Sequence, residues 1–253
     1  MKYIRLFSYY GSKVRIARRY PRPQYKTIVE PFAGAAGYSC LHYRRNVVLF
    51  EINPTVYSAI NYLITTSPEA VKHLPLLKDG ERIDSLGLSE AEQNLIGFWA
   101  ATAATNPGRV LYKWARDGQA RGASGYWSAG CRSRLAVAVT KIKHWKVYNQ
   151  SYETIDVNTI GPATWFVDPP YQQAGVHYKH GSKGIDYTHL AKWCRSLPGQ
   201  VIVCENTGAD WLPFRPLCKM VGAAKNSASR KETTEAIWTK DGGEYPSLFG
   251  AFK

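Results

Sequence analysis

The run Ala163-Thr164-Trp165-Phe166-Val167, closed by Asp168-Pro169-Pro170-Tyr171, constrains the fold of this chain more than any other segment. Five uncharged residues followed by two prolines read as a buried strand that stops at Asp168, because neither proline has a backbone N–H and each fixes its own φ. The stop also has chemistry. Asp168 and the outward-turned Pro169 carbonyl form a pair of acceptors for the two hydrogens of an exocyclic amine, and Tyr171 adds a ring able to lie against a flat base.

Short apolar runs of this kind recur. Segments 27–32, 47–52, 145–149, 163–167, 200–205, 219–223 and 235–239 read as strands, alternating with helix-like stretches in the rhythm of an α/β sheet with crossover helices. The exception is 55–143, where no strand is convincing and segments 55–63, 89–104 and 132–143 look helical. Ser89 with Glu92 offers a capping box for the second of these. The expected organisation is therefore one α/β domain formed by 1–54 and 144–253, interrupted by a helical insertion at 55–143. Within the insertion, Gly118, Gly122 and Gly125 mark a mobile loop that orders on a ligand.

The net charge of +14 is segregated. Residues 1–29 hold no acid and eight bases, and residues 93–152 hold nine bases against Asp117 alone. Such segregation is the footprint of a polyanion-binding face. In the second stretch Tyr112, Trp114, Tyr126, Trp127, Trp145 and Tyr148 are interleaved with the bases, so phosphates meet cations while bases meet rings. Some of these rings belong to the core. Arg109, Lys113, Arg116, Arg121, Tyr126, Trp127, Arg132 and Arg134 are the candidate nucleic-acid contacts here. No apolar run approaches membrane-spanning length and the start has no signal-peptide character, so a soluble, cytoplasmic protein is expected. Five scattered cysteines without a C-x-x-C pair suggest neither disulfides nor a thiolate zinc site.

A cofactor side is also legible. The strand 27–32 runs into the small-residue turn Ala33-Gly34-Ala35-Ala36-Gly37, which lets a ligand approach backbone, and Glu51 stands at the tip of the next strand, where an acid takes ribose hydroxyls. The G-x-G-x-x-G diphosphate fingerprint is absent, which favours a nucleoside without phosphates. Glu51 and Asp168 both fall at strand ends on the edge where open α/β sheets bind ligands.

Together these residues resemble the Dam-type family of DNA N6-adenine methyltransferases over nearly the whole chain. Tyr9-Tyr10-Gly11-Ser12-Lys13 is similar to the family's N-terminal element, whose aromatic residue and lysine help hold S-adenosylmethionine. Glu30-Pro31-Phe32-Ala33-Gly34 resembles its first cofactor motif, Glu51 with Asn53 its ribose-binding region, and Asp168 to Tyr171 its catalytic motif. Thr234-Glu235-Ala236-Ile237-Trp238 is similar to its closing segment. Ser12 departs from a common second glycine, and the segment before Tyr152 lacks the usual aspartate.

The resemblance implies a Rossmann-like methyltransferase sheet with helices on both faces and a target-recognition insertion. It further implies S-adenosylmethionine as cofactor, held by Tyr9, Lys13, Glu30, Pro31, Phe32, Ala33, Gly34, Gly37, Glu51, Asn53, Tyr152 and Asp168, and catalysis by Asp168, Pro169, Pro170 and Tyr171. The partner implied is double-stranded DNA with a flipped-out adenine, in a bacterial or phage-infected cell, with the protein a monomer or weak dimer. His177, His180 and His189 lack a fourth matching ligand, so no metal is expected there; a mobile loop with Tyr178 and Lys179 facing nucleic acid is favoured. The alternatives are cytosine-N4 methylation, for which serine is usual at the Asp168 position, RNA adenine methylation, for which asparagine is commoner, and a catalytically silent DNA-binding regulator. Nucleotide-dependent oxidoreduction is a more distant alternative.

Overall fold

Each of the seven expected runs is a strand. In a computed structural model that describes residues 3–78, 80–101, 104–111, 117, 125–173, 182–221 and 232–240, the strands are β1 (Thr27–Glu30), β2 (Asn46–Phe50), β3 (Lys146–Tyr148), β4 (Ala163–Val167), β5 (Gly199–Asn206), β6 (Arg215–Val221) and β7 (Glu232–Lys240). They form one sheet in the order β3-β2-β1-β4-β5-β7-β6. The first five pair in parallel, and β7 runs antiparallel to both β5 and β6. The strand order reverses between β1 and β4, which opens a crevice at their carboxyl ends. This is the Rossmann-like α/β sheet with helices on both faces expected from the sequence.

Strand periodicity divides the core in two. Ile28, Leu49, Phe166, Ile202 and Cys204 point to one face, while Val29, Phe50, Trp165, Val167, Val201 and Val203 point to the other. Helices α1 (Gly37–Leu41), α2 (Pro54–Thr65), α3 (Pro68–His73), α4 (Glu90–Ala101) and α5 (Ala129–Ile142) belong to the first side. Val56, Ile60, Leu95, Phe98, Leu135 and Val139, all from the insertion, share one buried cluster with the sheet. The helical insertion therefore has its apolar side in the same core as β1, β2 and β4. Helices α6 (Val157–Ile160) and α7 (Tyr187–Ser196) cover the second side, with Leu190, Ala191 and Cys194 buried there.

Helix starts follow local chemistry. Asn53 caps α2 by accepting from the Thr55 amide at 3.1 Å, with Pro54 in the first turn. The capping box before α4 forms as read: Ser89 N donates to Glu92 at 2.9 Å and Glu92 N to Ser89 Oγ at 3.4 Å. Asp186 caps α7 through the His189 amide at 3.0 Å. Helix α7 was not anticipated, since its polar first turn follows directly on a Gly- and His-rich stretch.

Candidate active site

A cavity of about 490 Å³ opens at the carboxyl ends of β1, β2, β3 and β4. All twelve residues expected to hold a cofactor line it, from Tyr9 and Lys13 through the 30–37 turn to Glu51, Asn53, Tyr152 and Asp168. They come from five separate stretches of chain, and the parallel sheet is what gathers them.

Glu51 is the first residue past β2. Its two carboxylate oxygens accept from Gly34 N at 2.8 Å and Asn53 N at 2.9 Å, and its carbonyl accepts from Asn149 Nδ2 at 2.7 Å. This ties the tips of β1, β2 and β3 together. Burial pushes the Glu51 carboxyl up, and the two amides pull it back toward ionisation. Glu30 turns inward to accept from Ser39 N in α1 at 2.7 Å, and burial pushes its carboxyl up to about 8, so it is protonated at neutral pH.

The glycines divide the work differently from the sequence reading. Gly34 holds a positive φ of +48°, and the Tyr9 ring rests against it. At Gly37 a Cβ would stand 2.8 Å from Val14 N and 2.9 Å from Lys13 N. That glycine admits the protein's own N-terminal segment, and the close approach is what carries Lys13 to the cavity.

Lys13 is the centre of the polar arrangement. Its ammonium lies 2.8 Å from Asp168 Oδ1, donates to Gly11 O at 3.1 Å, and sits 4.7 Å from the centre of the Tyr171 ring. Burial raises the Asp168 carboxyl to about 6, against the pull of Lys13 and with a push from Glu235. Tyr171 is placed otherwise than a free stacking platform. Its hydroxyl donates to Glu235 Oε1 on β7, the same oxygen that accepts from Tyr20 OH at 2.7 Å, and Lys13 lies over its ring. Pro169 is buried beneath the turn, and Pro170 lines the cavity. Tyr152 packs 5.2 Å from Phe32, and its hydroxyl pairs with His189 Nδ1 at 3.1 Å.

Tyr10, Ile52, Gln150, Ser151, Glu153 and the stretch 183–185 also line the cavity, and the sequence reading assigned none of them. Ile52, Gln150 and Ser151 could have been found as neighbours of Glu51 and Tyr152; 183–185 carries no pattern. Glu235 was quoted only within a weak segment.

The basic face is less uniform than its composition. Trp127, expected to meet nucleic acid, is fully buried and donates to Pro75 O at 2.7 Å, so it is a core residue. Arg132 is half-buried and its guanidinium donates to Leu74 O at the end of α3, which is a helix-capping duty. Trp145 is buried, with its indole on Tyr43 O at 3.2 Å. Arg109 and Arg134 are exposed, and Tyr126 is half-buried against the core. Lys113, Arg116, Arg121, Tyr178 and Lys179, with His177 and His180, lie outside the described residues. Among the described residues no His, Cys, Asp and Glu cluster could hold a metal, and no helix is long and apolar enough to cross a membrane.

No family model matches the chain, and no curated protein matches it. Among solved structures it is similar to the rRNA methyltransferase aviRa from Streptomyces viridochromogenes, at 14% identity and a TM-score of 0.40, over 88% of this chain and 84% of that one.

Proposed function

We propose that the protein is an S-adenosylmethionine-dependent methyltransferase that alkylates N6 of an adenine flipped out of double-stranded DNA. The observation that carries this reading is the single cavity in which Glu51, the 30–34 turn and Asp168 meet. The donor set suits such a cofactor. Apart from the protonated Glu30, three carboxyl groups, Glu51, Glu153 and Asp168, line the cavity against two ammonium groups, Lys13 and Lys183, an environment that favours a cationic nucleoside over a diphosphate. Glu51 stands where ribose hydroxyls are taken, Tyr152 and Phe32 offer an aromatic wall, and S-adenosylmethionine, when bound, supplies an electrophilic methyl group.

The protein's part is positioning and charge placement. Adenine N6 is a poor nucleophile because its lone pair is delocalised into the ring. Acceptance of its two hydrogens by the Asp168 carboxylate and the Pro169 carbonyl favours a pyramidal nitrogen with a localised lone pair. Asp168, with its proton affinity raised to about 6, also takes the proton that the amine loses once alkylated. Lys13 holds Asp168 in place and keeps it ionised near neutrality.

The test is to supply labelled S-adenosylmethionine with unmethylated duplex DNA, or with RNA, and to identify the labelled nucleoside. Label in N6-methyl-2′-deoxyadenosine supports the reading. Label in N4-methylcytosine or only in RNA moves the target, and DNA binding without label fits the silent regulator.

A further inference from the structure

The turn Asp168-Pro169-Pro170 presents two proline carbonyls, and the amine that Asp168 receives has one hydrogen left for a backbone acceptor. The two carbonyls are not equivalent. The Pro170 carbonyl accepts from the hydroxyl of Tyr187, the first residue of α7. No described residue donates to the carbonyl of Pro169.

Tyr187 is itself braced. Its ring packs 5.4 Å from Trp211 at an interplanar angle of 47°. The Trp211 indole N–H donates to Glu205 Oε2 at 3.1 Å, and the same carboxylate oxygen accepts from Gln172 N at 3.0 Å. The circuit runs from residue 170 through Tyr187, Trp211 and Glu205 back to residue 172. It fixes the backbone on both sides of Tyr171, whose hydroxyl is tied separately to Glu235. Glu205 is fully buried at the end of β5, so the brace rests on the sheet rather than on a loop. Burial also keeps the Tyr187 hydroxyl protonated far above neutral pH, so the donor is always present.

We propose that Tyr187 is a positioning residue of the catalytic turn: its bond to the Pro170 carbonyl, braced through Trp211 and Glu205, fixes the backbone that presents Asp168 and the Pro169 carbonyl to the amine. The inference rests on the amine-methyltransferase reading above and adds what holds the catalytic turn in place. Tyr187 touches neither reacting atom; it acts through the turn.

Tyr187→Phe removes the donor and keeps the ring against Trp211. The expected result is a kcat lower by about five- to tenfold, the worth of one neutral hydrogen bond expressed at the transition state, with the KM for S-adenosylmethionine and the melting temperature unchanged. Trp211→Phe, which breaks the link to Glu205 while preserving an aromatic contact, is expected to lower kcat in the same direction by a smaller factor. An unchanged kcat in Tyr187→Phe overturns the proposal. So does a loss of kcat that tracks a fall in melting temperature, since that is a packing effect. A wild-type protein that binds S-adenosylmethionine yet methylates neither DNA nor RNA overturns the reading beneath it, and this inference with it.

Discussion

The cavity edge of the sheet and the basic face of the insertion were both marked by composition, yet they turned out unlike. At the cavity edge all twelve residues expected to hold a cofactor reach one space, because an acid placed directly after a buried parallel strand can only emerge at the carboxyl edge. On the basic face the same residue types are divided between surface and scaffold. Arg132 serves the end of α3, and Lys143 Nζ serves the carbonyls of Ile64 and Thr66 at the end of α2. A cation's sign does not say whether it meets a phosphate or a helix end.

The most severe way to break this contrast is Asp168→Ala. It is expected to lower methyl transfer by at least about a thousandfold, while nucleic acid and S-adenosylmethionine still bind; product assays beside equilibrium binding check it. Lost DNA binding in a folded variant would place Asp168 in recognition instead.

Gly37→Ala comes next. The added Cβ meets Lys13 and Val14 backbone, which cannot swing aside, so the N-terminal segment is displaced. The expectation is a loss of about 1 to 3 kcal/mol in stability by denaturant titration together with a marked fall in kcat as Lys13 leaves Asp168.

The two arginines of α5 sharpen the comparison within one helix. Arg134→Ala is expected to weaken DNA binding evenly across sequences and to reduce the salt slope by about one. Arg132→Met should leave that slope alone and cost about 1 kcal/mol of stability through the Leu74 carbonyl. Identical salt slopes for both variants would remove the distinction.

The smallest effect is on pH dependence. In the proposed reaction Asp168 works as a carboxylate, so kcat/KM is expected to fall as the pH drops through about 6. The charge of Glu235 is one reason that value lies above the ordinary aspartate range. Glu235→Gln removes the charge, lowers the proton affinity of Asp168, and moves the acid limb to lower pH; a shift upward would contradict the assignment.

Much of the fold and half of the site were legible for the same reason. The apolar runs that became β1 to β5 marked where chain direction changes, and Glu51 and Asp168 were found because each sits at such a change, whereas Glu30 came only from the resemblance of the Glu30–Gly34 motif. What stayed illegible depends on partners far along the chain. Glu235 lies 64 residues from the Tyr171 it holds, inside a strand where an acid looks like an exposed position. Arg132 lies 58 residues from the carbonyl it caps, so its place in a basic stretch marked it as a nucleic-acid contact. The turn holding Gly37 was read as admitting a ligand, but what approaches Gly37 is the backbone of Lys13 and Val14, a matter of tertiary structure.

The most direct measurement is a calorimetric titration of the wild-type protein and Glu51→Ala with S-adenosylmethionine. One saturable site in the wild type, weakened about tenfold or more in the variant as ribose hydrogen bonds to a charged group are lost, is the predicted result. No saturable binding, or equal affinity in both proteins, would contradict the assignment of the cavity to the methyl donor.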